Sequence, residues 1–265
     1  MKDLEGRVAL ITGSATGLGR SISVKLAERG ADVIINYSRS STEAEETAGL
    51  CEAAGAKAIV IKANVADPDD CRKLAEAAAP WGKLDILANN AGITRHARDH
   101  GDLDALSKAD FMDVYEVNVV GAYLMLQAAK DLLVAAHDQT GRASAVLNTS
   151  SIAGVKGIGS SVAYAASKGA LNTMTVSLAR ALAPAIRVNA ICPGFIGTRW
   201  FRDAMDAESY QKVTRRIEST TPLAVASGPD DIADTAVFFL SDASRHVTGE
   251  LLLVDAGMHL GKAGG

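Results

Sequence analysis

The three cysteines, Cys51, Cys71 and Cys192, include no close-spaced pair in a chain of 265 residues. That spacing argues against a disulfide framework and suits buried or inert thiols in a reducing cytoplasm. There is no long block of like charge, and the formal net charge is −4. Nothing therefore points to nucleic acid or to an anionic membrane as a partner. No apolar run approaches the roughly 18 residues expected of a transmembrane helix. The opening Met1-Lys2-Asp3-Leu4-Glu5-Gly6 has no apolar signal core and leads straight into a strand. Low-complexity sequence is confined to a short flexible tail, 261–265. The expectation is one domain spanning 1–265, with one large core and a small molecule as its target.

Arg7-Val8-Ala9-Leu10-Ile11 is a short apolar run rich in strand formers. Thr12-Gly13-Ser14-Ala15-Thr16-Gly17-Leu18-Gly19 follows, and then a helical pattern through Glu28, closed by Gly30. Strand, glycine loop and helix together make a phosphate-binding arrangement, because bare backbone N–H groups at a helix start suit a dinucleotide pyrophosphate. The spacing Gly-x-x-x-Gly-x-Gly differs from the commoner Gly-x-Gly-x-x-Gly, and a tight turn with no ligand would read the same way. Val33–Tyr37 is the second strand. An NAD site usually carries a carboxylate at the end of this strand, for the ribose 2′-hydroxyl. Here Tyr37-Ser38-Arg39-Ser40 offers a hydroxyl and a guanidinium instead, which fit a 2′-phosphate. Thr16 adds no second basic residue. NADP(H) is thus favoured over NAD(H), against the plainer reading of Arg39 as a solvated loop charge.

The alternation continues. Ser41–Ala54 reads as an amphipathic helix with Ser41 as its cap, and Ala58–Ile61 as a strand. Asp67-Pro68 opens a helix, and Leu84–Ala88 is a strand running into Asn89-Asn90-Ala91-Gly92. A long helix, Phe111–Ala136, holds Asn118, a mediocre helix former placed there for its side chain, for a local kink, or merely tolerated. The run Ala145-Val146-Leu147 ends near Ser151, and Arg187–Ile191 runs into the turn-rich Cys192–Thr198. Pro229-Asp230-Asp231 starts a last helix and Glu250–Val254 a closing strand. Strands alternating with helices imply a parallel sheet covered on both faces, with ligands beyond the carboxyl ends of the strands. The segment 93–109, with His96, Asp99, His100 and Asp102, has no steady period; it reads as a solvated loop at the site mouth, not a metal centre. Trp200, Phe201, Met205 and Tyr210 either form a substrate lid within about 195–225 or pack against the body.

Tyr164-Ala165-Ala166-Ser167-Lys168 carries the chemistry. On a helix, Tyr164 and Lys168 share one face. A phenol with an ordinary pKa of about 10 is a poor acid or base at neutral pH. A nearby ammonium is expected to favour the phenolate and to lower that value. Ser151, thirteen residues upstream, has a hydroxyl able to hold a carbonyl oxygen.

These motifs, in this order, resemble the short-chain dehydrogenase/reductase family in its compact single-domain branch, over nearly the whole chain, from Arg7 to Gly257; the general look is similar to beta-ketoacyl carrier-protein reductases and small alcohol/sugar dehydrogenases. The matching residues are Thr12-Gly13, Gly17, Gly19, Asn89–Gly92, Asn118, Ser151, Tyr164, Lys168 and Pro193–Thr198. The resemblance implies a Rossmann-like doubly wound α/β sheet of about seven parallel strands. It implies ketone–secondary alcohol redox chemistry with a nicotinamide cofactor, in a homotetramer or homodimer. Tyr164 would be the acid or base, Lys168 would lower its pKa and hold the ribose, and Ser151 would bond the reacting oxygen. Asn118 would keep a water on the proton path. The implied cofactor envelope is Thr12, Gly13, Thr16, Gly17, Leu18, Gly19, Ser38, Arg39, Asn64, Val65, Asn90, Ala91, Gly92, Tyr164, Lys168, Pro193, Gly194, Ile196 and Thr198. Within it, Asn90 would line the adenosine side, and Ile196 and Thr198 the carboxamide. Two departures stand out: Asn64-Val65 replaces an Asp-Val pair, and Asp255-Ala256-Gly257 replaces Asp-Gly-Gly. Open alternatives are a non-catalytic dinucleotide sensor or scaffold, and an epimerase or dehydratase on the same fold.

Overall fold

A computed structural model describes residues 2–97, 99–199 and 205–261. Seven strands, β1 (Val8–Ile11), β2 (Asp32–Tyr37), β3 (Ala58–Lys62), β4 (Ile86–Asn89), β5 (Ser144–Thr149), β6 (Ile186–Pro193) and β7 (Leu251–Val254), form one sheet. Their order is β3-β2-β1-β4-β5-β6-β7 and every pairing is parallel. The chain reverses its direction of travel across the sheet between β1 and β4. That reversal opens a crevice at the strands' carboxyl ends, where doubly wound folds bind ligands.

Both faces of the sheet are covered, so the central strands carry apolar residues toward both faces and not at alternate positions only. Ala9, Ile11, Val33, Ile35, Ile86 and Ala88 point to one face. There they meet helices α1 (Gly17–Glu28), α2 (Ser41–Ala53) and α9 (Pro229–Leu240). Val8, Leu10, Ile34, Leu87 and Val146 point to the other face. They meet α3 (Pro68–Glu76), α5 (Ala122–Thr140) and α7 (Val162–Leu182). Each fully buried Leu or Ile contributes roughly 1.5–3 kcal/mol relative to exposure. The remaining helices are α4 (Lys108–Tyr115), the short α6 (Ala153–Lys156) and α8 (Ala207–Thr220).

Three local expectations change. Ser41 is the first helical residue, not the cap; Ser40 holds the cap position without a side-chain bond, and the Ser41 hydroxyl donates to the Tyr37 phenol. The expected helix 111–136 extends over 108–140 but is not uniform. Glu116–Gly121 widens into a π turn between α4 and α5, and Asn118 lies inside it. This stretch is also long and apolar enough, by length and composition alone, to cross a membrane, contrary to the reading of the sequence. Isolated polar residues such as Asn118 and Gln127 break its run without making it hydrophilic. In the fold, Met125, Leu126, Ala129, Leu133 and Ala136 form a buried stripe facing the sheet, as in an amphipathic core helix.

The last third of the chain is locked to the first. Arg187 on β6 is buried, and its guanidinium donates to the carbonyls of Phe239, Ser241 and Val247 and to the Ser244 hydroxyl. It thereby satisfies the carbonyls at the end of α9, which have no partner within the helix. Arg7, just before β1, pairs with Asp242. The departure at Asp255-Ala256-Gly257 has a backbone consequence, since Ala256 sits at φ 54°, in the left-handed region. An L-residue with a Cβ is disfavoured there by about 1–2 kcal/mol. Part of that gain is offset in the unfolded chain when glycine is introduced. Ala256→Gly should therefore stabilise the fold by about 1 kcal/mol. Chemical denaturation of the two proteins side by side measures this, and an unchanged or lower midpoint refutes it.

Candidate active site

The glycine loop is held by side chains from three strands. Gly13 and Gly17 have φ of 61° and 57°, which favour glycine. A Cβ on Gly19 would lie 2.5 Å from the Gly13 carbonyl and 2.6 Å from the Asn90 amide nitrogen. Asn90 Nδ2 donates to the Thr12 and Gly13 carbonyls, and Thr12 Oγ1 accepts from the backbone N–H of Asn90 and Ala91. Both side chains therefore brace the loop from beneath. Asn36 was not anticipated as part of the site. Its Oδ1 accepts from Gly13 N–H, its Nδ2 donates to the Ala63 carbonyl, and its own N–H donates to Ser14 Oγ. A lone amide inside the apolar run of β2 was the available signal, because a buried polar group needs partners. Arg20 was also missed; it ties Ala15 to Thr47 and to the Glu43 carbonyl on α2.

The loop fits a dinucleotide. Helix α1 begins at Gly17 with no side-chain cap from Thr16 and no acid in its first turn. Its first N–H groups are thus left for an anion, with the helix dipole behind them. Leu18 and Gly19 are buried beneath, whereas Ser38 and Arg39 are exposed at the end of β2. Val65 is buried and touches Gly121 of the π turn, where a Cβ would lie 2.9 Å from the Val65 carbonyl. Asn64 turns its side-chain oxygen to the Ala66 N–H, so one of its polar atoms serves a local turn.

Ser151, Tyr164 and Lys168 converge at the ends of β5 and α7. The Ser161 side chain caps α7 by accepting from Tyr164 N–H. Ser151 Oγ accepts from Ala153 N–H at 3.1 Å, which leaves its own proton free to donate. It is hydrogen-bonded with the Tyr164 phenol. Lys168 is buried, donates to the Thr149 carbonyl at 2.8 Å, and lies 5.6 Å from the Tyr164 ring centroid. Two close approaches make this possible. A Cβ on Gly154 of α6 would lie 2.5 Å from the Lys168 backbone, and one on Gly92 would lie 3.5 Å from Lys168 Nζ. A Cβ on Gly169 would lie 3.6 Å from the Gly154 carbonyl, so α6 and α7 are close there too.

The electrostatics depart from the expectation. Burial pushes the Tyr164 phenol up, with the Ser151 hydrogen bond pulling the other way. Burial also lowers Lys168, to about 8. The expectation that Lys168 lowers the phenol treated the pair as though it lay in an exposed helix. In this structure desolvation is the leading influence on each group. The Asn118 carboxamide is fully committed: Oδ1 accepts from Ile93 N–H, and Nδ2 donates to the Ile93 carbonyl and to Ser167 Oγ. Ser167 passes its own proton to the Tyr164 carbonyl at 2.8 Å. The side chain of Asn118 thus joins the π turn to α7.

The segment after β6 completes the crevice. A Cβ on Gly194 would lie 2.8 Å from Asp255 Cβ, and one on Gly17 would lie 3.3 Å from Thr198 Cγ2. Residues 193–198 therefore run from the closing strand across to the glycine loop, with Phe195 buried and Ile196 half-buried. Helix α8 has no fully buried residue; its Tyr210 ring lies 6.5 Å from that of Phe195. Trp200 and Phe201 lie outside the described residues. The 93–97 stretch is tied down by the Thr94–Ser160 hydroxyl contact and by Ala97 N–H donating to the Ser160 carbonyl. All three cysteines are buried and free, and burial pushes Cys51 up to about 12 and Cys71 up to about 11.

A doubly wound parallel sheet with an uncapped glycine loop at its switch point, beside a buried Ser-Tyr-Lys cluster, defines a dinucleotide-dependent oxidoreductase class. Residues 13–259 match the family described as enoyl-(acyl carrier protein) reductase. An L-rhamnose 1-dehydrogenase (NAD(P)+) from Sphingomonas is 36% identical over 263 residues, 98% of this chain and 99% of that one. A 3-oxoacyl-[acyl-carrier-protein] reductase from Staphylococcus aureus is 35% identical over 254 residues, 95% and 98% of the two chains. The crystal structure of a short-chain dehydrogenase from Burkholderia cenocepacia in complex with NADP superposes with a TM-score of 0.84. It is 33% identical, covering 97% of this chain and 99% of that one. The chain belongs to the short-chain dehydrogenase/reductase family and is an oxidoreductase.

Lys168 makes a pH test possible. Below about pH 8 the folded and unfolded states both carry the ammonium, and the full cost of burying it is present. Between about 8 and the ordinary value of 10.5, the folded lysine is neutral while the unfolded one still holds its proton. Stability therefore rises with pH across that window, by about 3 kcal/mol from this group. The difference in unfolding free energy between the protein and Lys168→Met should grow by that amount from pH 8 to 10.5. A difference that stays flat would show that the buried ammonium carries no such cost.

Proposed function

We propose that the protein interconverts a ketone and a secondary alcohol with NADP(H), and less favourably with NAD(H), using Tyr164 to move the proton. The observation that carries this is the meeting of Ser151, Tyr164 and Lys168 at the strand ends beside an uncapped phosphate-binding turn. When bound, the nicotinamide supplies or accepts the hydride. The residues of the chain handle the rest. Ser151, hydrogen-bonded with Tyr164 before substrate enters, turns its hydroxyl to the substrate oxygen and holds it against Tyr164. Tyr164 gives up its proton as negative charge develops on that oxygen, or takes one back in the reverse direction. Lys168 has a pKa of about 8, so it can hold or pass a proton near neutrality, and it would hold the ribose hydroxyls of the bound cofactor. Asn118 shapes the proton path behind Lys168, its side chain acting by bracing Ile93 and Ser167. The first N–H groups of α1 take the pyrophosphate, Ile196 and Thr198 the carboxamide, and Ser38 and Arg39 the 2′-phosphate.

The named relatives reduce a carrier-protein thioester ketone or oxidise a sugar. Either fits a chain whose reacting oxygen meets a serine and a tyrosine, and a panel of ketones, ketoacyl thioesters and sugars with NADPH and NADH sorts them. We further infer a homotetramer or homodimer in a reducing cytoplasm. Met112, Val120 and Tyr123 on the α4–α5 helix and Val162 and Val176 on α7 leave apolar surface exposed, and sedimentation equilibrium reads the assembly directly.

Tyr164→Phe should keep dinucleotide binding and lose turnover by two or more orders of magnitude, on the order expected of a general acid–base group. Retained turnover would reject the assignment of Tyr164. Arg39→Ala should raise the KM for NADPH far more than that for NADH, and equal changes would reject the 2′-phosphate assignment.

A further inference from the structure

An ion pair joins two parts of the chain that are 156 residues apart, Arg199 after the β6 loop and Glu43 in the first turn of α2. The anchor on α2 is firm. Arg20 donates to the Glu43 carbonyl at 3.0 Å, to Thr47 Oγ1 at 2.8 Å and to the Glu46 carboxylate at 3.0 Å. The Arg199 guanidinium beside Glu43 holds its carboxyl below the ordinary range. The other end starts on the glycine loop, because Thr198, the residue before Arg199, packs on Gly17. The chain thus lies against the uncapped start of α1 at Thr198 and reaches α2 through the next side chain.

We propose that Arg199 and Glu43 form a strap across the dinucleotide cleft, positioning residues that slow the cofactor's release. This rests on the reading of that cleft given above. The strap crosses at the phosphate-binding turn, which NADPH and NADH share, so its effect falls on both. Glu43 alone, so near the Ser38-Arg39 turn, would repel a 2′-phosphate; Arg199 alone would attract one. Joined, they offset one another and make a tie between the loop after β6 and the helix after β2.

Stopped-flow displacement of bound NADPH and of bound NADH, followed by nicotinamide fluorescence, tests this in the full chain. Arg199→Ala and Glu43→Gln should each speed the release of both dinucleotides by about two- to fivefold, the range for one exposed ion pair. The double variant should be no faster than Arg199→Ala alone, because both changes cut the same tie. Arg199→Lys, which keeps the charge, should fall between. Unchanged rates in variants that bind normally would overturn the strap and leave the function standing. Slower release of NADPH alone in Glu43→Gln, or faster release of NADPH alone in Arg199→Ala, would overturn it too, reducing each residue to a separate charge beside the 2′-phosphate. A wild-type protein that binds neither dinucleotide would remove the strap and the proposed function together.

Discussion

The bond from the Lys168 ammonium to the Thr149 carbonyl is the constraint on which the site is built. It ties the middle of α7 to the carboxyl end of β5 and places a cation under the open edge of the sheet. A buried ammonium is tolerated only where its hydrogen bonds are supplied. The surroundings are shaped around that need. Gly154 lets α6 touch the Lys168 backbone, Gly92 leaves room above the charge, and Ser150 Oγ donates to the Lys168 carbonyl. Through Ser167 and Asn118 the same helix is tied to the π turn and so to Ile93. Tyr164 inherits its position from this frame.

The phosphate side is organised on the opposite logic. There the backbone is left bare and the side chains work from behind. Thr12, Asn36 and Asn90 spend their polar atoms on the main chain of the glycine loop or of neighbouring strands. A loop with so many external braces needs no internal cap, and the first turn of α1 is left for an anion. One half of the crevice buries a charge and the other presents uncapped dipoles. Both lie at the carboxyl ends of β1, β4 and β5, so a ligand that spans the switch point meets both.

Much of this was legible in the residues. Strand runs such as Val33–Tyr37 and the loop after Ile11 need no tertiary information, because apolar β-branched runs and glycine spacing are local signals. The placing of the glycine loop, Asn90 and Ser151 at one edge followed from strand-helix alternation, and the pairing of Tyr164 with Lys168 from their helical spacing. Three things were not legible, each for a physical reason. The π turn at Glu116–Gly121 has no propensity signature; it is maintained by contacts from Ile93, Val65 and Ser167, all distant in sequence. The ionisation of Tyr164 and Lys168 depends on burial, which spacing along a helix does not report. The bracing role of Asn36 depends on which strand lies beside β2, and that is a property of the sheet order.

The Arg7–Asp242 pair and the grip of Arg187 on residues 239–247 have a consequence for the newly made chain. Asp242 is made 235 residues after Arg7, and β7 completes the sheet later still. A nascent polypeptide leaving the ribosome therefore holds an unfinished sheet whose β6 edge is bare and whose Arg187 has no carbonyls to grip. Until β7 has emerged, the growing chain has a sticky border that a chaperone would have reason to shield.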